Sequence, residues 1–428
     1  MGRFNFGLIS CFFILMISNV SPVLGVNLSV TSIGTNAANW TVMLYLDGDN
    51  DLENTVKKVI NNLELVGSDK NINIIAQFDA YTCFEGVKRY YITYDTSEDI
   101  VSDVVEFLDE KNMGDPVTLY DFVAWSCEKY PADNYYLSLF DHGNGWRPRF
   151  LKDETSHDEL TLNELKNAMK NIKNSINKKI DVVSFDACLM GMIEVLYQIR
   201  DTADIVVGSE DVVYGNGLPY HIILEELKKN PYMSSEKLAR EIIDDYYYYY
   251  SYYSMAMGAF KLEDLTKKVV KKLDAFAITL SDSFSEFKTE IKEAVDLTTS
   301  YNVNIGGKTY ITHYKDLYDF AYEISTHVKN NLIKKKALEL MDEIKNCTIY
   351  KKEFKKDNSH GISIYLPVSK KDYDASYENL DLCKNTNWDV FVSKCLDRKK
   401  ASKSIELKSI LPRELIEKIV FLSKDNVL

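Results

Sequence analysis

Two short stretches carry reactive side chains at the ends of apolar runs. In SFDACLMGM, Ser184 to Met192, Cys188 comes just after DVVSF, with an acid, Asp186, two residues before it. In FDHGNGW, Phe140 to Trp146, His142 comes just after the run YYLSLF and precedes Gly143 and Gly145. An imidazole beside a thiol can lower its pKa or take its proton, and the thiolate can then attack a carbonyl carbon. The amides of Gly143 and Cys188 would stand where the resulting oxyanion needs donors. Each residue alone has a plainer reading: Cys188 as a small buried hydrophobe, His142 as a loop residue bonded to a neighbour. The elements that would carry them give the pair its weight.

WTVMLYLDGDNDLE, Trp40 to Glu53, reads as a buried strand passing into a helix whose start is capped by Asp or Asn. NINIIAQFDAY (71–81), YYITYD (90–95), NYYLSLF (134–140), DVVSF (181–185) and ADIVVGSED (203–211) read as further strands, and helical periods run over 113–131 and 160–176 and resume after Cys188. Strands alternating with helices predict an α/β sandwich around a mainly parallel sheet. In such sheets the chemistry gathers at the carboxyl ends of the strands. His142 and Cys188 both fall at predicted carboxyl ends.

Beyond about residue 230 the pattern becomes mostly helical to about 347, with strands expected in MAMGAFKLEDL (255–265) and SHGISIYLP (359–367). The run DDYYYYYSYYS (244–254) has helical spacing, so its tyrosines are expected to pack and to present hydroxyls at the surface. The predicted organisation is a leader over 1–25, a catalytic core over 26–230, the rest of that domain over 231–370 and a C-terminal helical segment over 371–428.

With 428 residues and 46% apolar content the chain can bury a sizeable core, and 27% charged residues do not make a disordered composition. A net charge of −13 argues against nucleic-acid binding. MGRFNFGLISCFFILMISNVSPVLG offers one Arg, an apolar stretch from about Phe4 to Val20 and the small-residue site Val23-Leu24-Gly25. It reads as a cleaved export signal near Gly25, with an uncleaved anchor as the alternative. No later segment is apolar enough to span a bilayer, so a secreted, soluble mature chain is expected.

Seven cysteines occur, far apart and without CxxC spacing, and Cys11 would leave with the leader. Export would permit some of them to pair, but a chain this long does not need disulfides to fold. Gly306-Gly307-Lys308-Thr309 echoes a phosphate loop, yet its leading position is Asn302 rather than Gly. Asp47, Asp49 and Asp51 mimic the start of an EF-hand loop, but Leu52 and Lys58 stand where Gly and Glu belong. These acids read as a helix cap or as part of a binding rim. A GxSxG elbow and an HExxH pair are both missing from the sequence.

The segments WTVMLYLDGDNDLE, MGDPVTLYDFVAW, PADNYYLSLFDHGNGWRP, LTLNELKNAM, DVVSFDACLMGMIEV, MAMGAFKLEDL and SHGISIYLP resemble the clostripain family of cysteine peptidases, in family order from about residue 38 to 370. The pair DHGxGW and FDACLMG is the specific part. The resemblance implies a caspase-like αβα sandwich, Cys188 as nucleophile, His142 as general base and no third triad member. It implies cleavage after Arg or Lys, for which Asp186, on the face of its strand shared with Cys188, could floor the pocket.

A second acid is expected on the following loop, where this chain has Asn216; Asp211 or Glu210 could substitute. Self-cleavage between His142 and Cys188 into associated light and heavy chains is also implied. Lys152 is favoured for it over Arg149 and Arg147. Calcium is expected as an activator, with the acids near Asp47–Asp51 and Asp153–Glu154 as guesses for its ligands. Two alternatives stay open: a catalytically silent binding or adhesion protein, and a peptidase that prefers Asn or Asp at P1.

Overall fold

The computed structural model describes residues 37–82, 86–214, 216–305 and 307–398. The leader and most of the last predicted helical segment lie outside these residues, as does Cys83. Five strands form the parallel centre of the main sheet: β1 (Ala38–Gly48), β2 (Ile72–Ala80), β5 (Ala132–Phe140), β8 (Ile180–Asp186) and β9 (Ala203–Ser209). Antiparallel pairs close both edges. On one side stand β3 (Lys88–Tyr91) and β4 (Asp103–Phe107), and on the other β10 (Met255–Lys261) and β14 (Thr348–Phe354). The order is β14-β10-β9-β8-β5-β1-β2-β3-β4, nine strands in all. Three two-stranded pieces stand apart: β6 (Lys152–Asp153) with β7 (Asp158–Glu159), β11 (Val303–Ile305) with β12 (Lys308–Tyr310), and β13 (Tyr314–Asp316) with β15 (Ser363–Tyr365).

The central strands are apolar at nearly every position because both faces are covered. Along β1, Met43 and Tyr45 enter one core, while Val42, Leu44 and Leu46 enter the other. One face carries the helices α2 (Pro116–Lys129) and α3 (Leu162–Ile176), and the opposite face carries α1 (Glu53–Glu64), α5 (Tyr220–Lys229) and α6 (Ser235–Tyr249). A short helix, α4 (Ile193–Gln198), follows the turn after β8.

Local signals hold where the sequence offers them. Asp115 accepts from Val117 N–H ahead of Pro116, and Thr161 with Glu164 forms a reciprocal capping box on α3. The predicted side-chain cap of α1 is not made: the cap position is Leu52, without a side-chain acceptor. Asn50 Oδ1 accepts instead from Leu52 N–H at 2.8 Å and Asp47 from Asp49 N–H at 3.1 Å, while Asp49 and Asp51 are drawn into longer-range contacts. SHGISIYLP does form a strand, β15, but it pairs with β13 rather than joining the main sheet. Of the edge strands, β3 and β10 answer to YYITYD and MAMGAFKLEDL, whereas β4, β14 and β13 went unread, because they are short or mixed in polarity and their pairing partners are distant in sequence.

Candidate active site

The register of the sheet places the two reactive residues at neighbouring strand ends. Phe140 on β5 is the partner of Asp186 on β8, so His142 and Cys188 leave the sheet side by side, each two residues beyond that pair. Their backbones touch at the next residue. A Cβ on Gly143 would lie 2.2 Å from the Cys188 carbonyl and 2.7 Å from its nitrogen, so only glycine fits there. The Gly143 and Cys188 amides thus border one space, as an oxyanion site requires.

Cys188 sits in a turn fastened to the end of β9. Leu189, in the left-handed region at φ 66°, donates its N–H to the Asp211 carbonyl at 3.0 Å, and Gly191 donates to Ser209 at 2.7 Å. The Sγ accepts from Val213 N–H at 3.3 Å and faces the Val213 carbonyl at 3.7 Å. Burial pushes the thiol up to about 11, and the charges of Asp186, Asp211 and Asp141 add to the shift. The resting group is therefore the neutral thiol.

His142 is held differently. Its Nε2 lies 2.7 Å from Asp51 Oδ1, and this bond keeps the Asp51 carboxyl below its usual range. Asp141, the preceding residue, is buried and accepts from Asn50 Nδ2 at 2.9 Å and from the Lys152 N–H at 2.5 Å. An acid partner for the imidazole was not anticipated. The sequence offered Asp51 only as a cap or rim residue.

Asp186, the last residue of β8, is buried. Its Oδ2 accepts from Leu218 N–H and from the Tyr220 hydroxyl, both at 2.8 Å, whereas its buried Oδ1 has no partner. Burial raises its pKa to about 6, against those two hydrogen bonds. The loop that covers it rests on the tyrosine run. Tyr246 OH accepts from Tyr214 N–H at 2.8 Å, and Tyr250 OH donates to the Gly217 carbonyl at 2.8 Å. These tyrosines are helical and packed as expected, but two of their hydroxyls support this loop instead of reaching solvent.

The remaining candidates separate. Asn216 is exposed and lines a cavity of about 160 Å³ with Thr55, Lys58 and His221. Asp211 is buried with its charge matched by Lys356 at 3.1 Å and a hydrogen bond from Ser254, so it is not a free anion for a substrate. Glu210 accepts from Gly361 N–H at 2.7 Å and lies against the Asp316 carboxyl. Among the self-cleavage candidates, Arg147 donates to the Thr312 carbonyl at 2.8 Å and stacks 4.8 Å from the Tyr365 ring centre. Lys152 lies in β6, and Arg149 is exposed with φ 90°. Cysteines 127, 188, 347 and 395 are free thiols.

The acids singled out for calcium divide in space. Asp51 goes to His142, while Asp49 and Asp153 converge with Asp79 and Glu110, their carboxylate oxygens all within 4.8 Å of one another. This all-oxygen set suits a hard cation.

A sheet that brings a thiol, an imidazole and two amides to neighbouring strand ends is the arrangement of a caspase-like cysteine peptidase. The Clostripain family model matches residues 44–403, and the chain belongs to that family of cysteine peptidases. Clostripain of Hathewaya histolytica is 27% identical over 406 residues, covering 79% of this chain and 76% of that protein. A secreted C11 cysteine protease of Bacteroides thetaiotaomicron, solved with an irreversible peptide inhibitor, superposes with a TM-score of 0.62 at 21% identity over 82% of this chain and 100% of that one. An inactive zymogen C11 protease of Parabacteroides distasonis gives 0.61 at 21% identity over 81% and 98%. At that identity the two structures speak for the fold. Peptides or proteins are the substrates. Among the described residues no helix is long and apolar enough to cross a membrane.

Proposed function

We propose that this chain is an exported endopeptidase that cuts after Arg or Lys, with Cys188 as nucleophile and His142 as general base. The observation that carries the specificity is the buried Asp186 carboxyl, whose Oδ1 has no partner and which lies two residues before Cys188. A guanidinium or ammonium would supply the missing donor and repay the burial of the charge, whereas an acidic P1 side chain would be repelled.

The bond to Asp51 fixes the imidazole with its proton on Nε2, which leaves the Nδ1 lone pair to accept from the thiol. Because the thiol is neutral at rest, deprotonation accompanies attack. Nδ1 takes the proton as Sγ bonds to the scissile carbonyl carbon, and the Gly143 and Cys188 amides receive the oxyanion. The imidazolium then protonates the leaving amine. Water, deprotonated by the same nitrogen, releases the acid from the thioester.

Self-processing between His142 and Cys188 belongs to the same reading. The Val213 N–H and carbonyl both contact the Cys188 sulfur, which suits a precursor whose loop must shift before a substrate binds. The homologous protease of P. distasonis is described as an inactive zymogen. Lys152 is pinned by its N–H to Asp141 and its carbonyl to Asn50, so the exposed Arg149 offers the more accessible bond.

Fluorogenic peptides ending in Arg, Lys, Asn or Asp test the proposal on the wild type, Cys188→Ala and Asp186→Asn. Turnover confined to Arg and Lys peptides and abolished in Cys188→Ala supports it. Equal turnover of Asn peptides, or hydrolysis that survives Cys188→Ala, rejects it.

A further inference from the structure

The small pair β13–β15 stands outside the main sheet, yet it touches both halves of the reactive pair. On the cysteine side, Ser363 of β15 donates its N–H to the Gly191 carbonyl at 2.9 Å. Tyr365 of the same strand donates its N–H at 2.9 Å to the buried Glu194 carboxyl near the start of α4. On the histidine side, the Tyr314 hydroxyl of β13 donates to the Asn144 carbonyl at 2.6 Å, two residues after His142. Gly145 then turns with φ 63°, and a Cβ there would lie 2.3 Å from Met192 Sδ and 2.9 Å from the Tyr314 ring. The histidine loop is thus packed against β13 without spare room.

Arg147 fastens this seat. Its Nη1 donates to the Thr312 carbonyl at 2.8 Å and reaches the Tyr314 hydroxyl at 3.3 Å. Its guanidinium lies 4.8 Å from the ring centre of Tyr365, 5.1 Å from that of Trp146 and 5.5 Å from that of Tyr314. A planar, weakly hydrated cation suits such an aromatic cage better than a compact ammonium does. Proton transfer between thiol and imidazole depends steeply on their separation, so whatever seats this loop bears on the rate.

We propose that Arg147 is a positioning residue for the peptidase reaction: caged by Trp146, Tyr314 and Tyr365, it clasps the histidine loop to β13 and holds His142 in register with the turn of Cys188. A side chain so held is a poor P1 residue for self-processing. A cut after Arg149 leaves Arg147 two residues from the new end of the light chain, and the clasp then keeps the loop seated once the covalent connection is gone. The effect on rate rests on His142 being the base; the clasp itself does not.

Two readouts test it. On Arg and Lys peptides, Arg147→Ala should lower kcat about tenfold or more and leave KM within about twofold, since Asp186 is untouched. Arg147→Lys, which keeps the cation and one donor, should recover part of that loss. Tyr314→Phe, which removes only a hydroxyl, should cost a fewfold in kcat, and it carries the test should Arg147→Ala not fold. The second readout needs no turnover. In the full chain carrying Cys188→Ala, the imidazole proton NMR signal of His142, assigned by its loss in His142→Gln, should move in Arg147→Ala and in Tyr314→Phe. A fall in kcat together with a moved signal supports the clasp. An unmoved His142 signal, or a loss that appears in KM instead of kcat, overturns it. If the wild type cleaves none of these peptides, the failure lies in the assigned reaction, and the NMR signal alone decides whether the clasp stands.

Discussion

Cys188 and His142 leave the sheet side by side, yet they are held by different kinds of force. The cysteine turn is fastened through backbone groups: Leu189 to Asp211, Gly191 to Ser209, and Val213 to the sulfur itself. The histidine is fastened through side chains: the Asp51 carboxylate on its ring, with Asn50 bonded to the carboxylate of the preceding Asp141. Backbone bonds and close packing do not titrate, whereas carboxylates respond to pH and to cations. Cys188 is therefore held mainly by groups that do not titrate, and His142 by a carboxylate that does.

The sharpest way to break this comparison is to remove the nucleophile. Cys188→Ala should lower kcat/KM by at least about 10³-fold while leaving the melting temperature nearly unchanged. A modest loss in peptide hydrolysis would show that another group attacks. Gly143→Ala tests the rigid half through its packing. The new methyl meets the Cys188 carbonyl at 2.2 Å, so the turn must shift, and activity should fall about 10²-fold or more with a lower melting temperature.

Asp186→Asn should cost about 10²-fold in kcat/KM on Arg and Lys peptides. The pH dependence gives a second readout. With its pKa raised from 3.8 to about 6, Asp186 binds its proton more tightly folded than unfolded. Its carboxylate then costs stability as pH rises from about 4 to about 6, on the order of 3 kcal/mol. The Asn variant should lose that slope in thermal melts, and also the acid limb near pH 6 in kcat/KM for basic peptides. A retained acid limb would assign it to another group.

Asp51→Asn probes the adjustable half and should lower kcat about tenfold, with a changed pH profile and an unchanged KM. An unaltered profile would make the Asp51 contact incidental. The smallest effect is expected at Tyr246→Phe, which leaves Tyr214 N–H without its acceptor. That costs about 1–3 kcal/mol of stability and should raise KM a fewfold through the loop over Asp186.

The alternating pattern of strands and helices made the parallel sheet legible, because strands buried on both faces must be apolar throughout. The dyad was legible for a related reason: residues just past such strands lie at the carboxyl edge, and a shared register brings two of them together. Asp49, Asp51, Asp79, Glu110 and Asp153 could not be sorted in this way. As sequence, Asp47 to Asp51 is a local acidic turn, and nothing in Glu110 marks it as a partner of Asp79.

What the chain determined by itself was the class of fold and the position of His142 and Cys188 just past neighbouring strands, both of which follow from short-range periodicity. Tertiary structure alone decided which acid grips His142 and which tyrosines support the loop over Asp186. It also committed Asp211 to Lys356 and gathered four carboxylates from four segments. Loops take their direction from what they pack against, and a side chain at a strand end finds its partner only once distant strands have been set side by side.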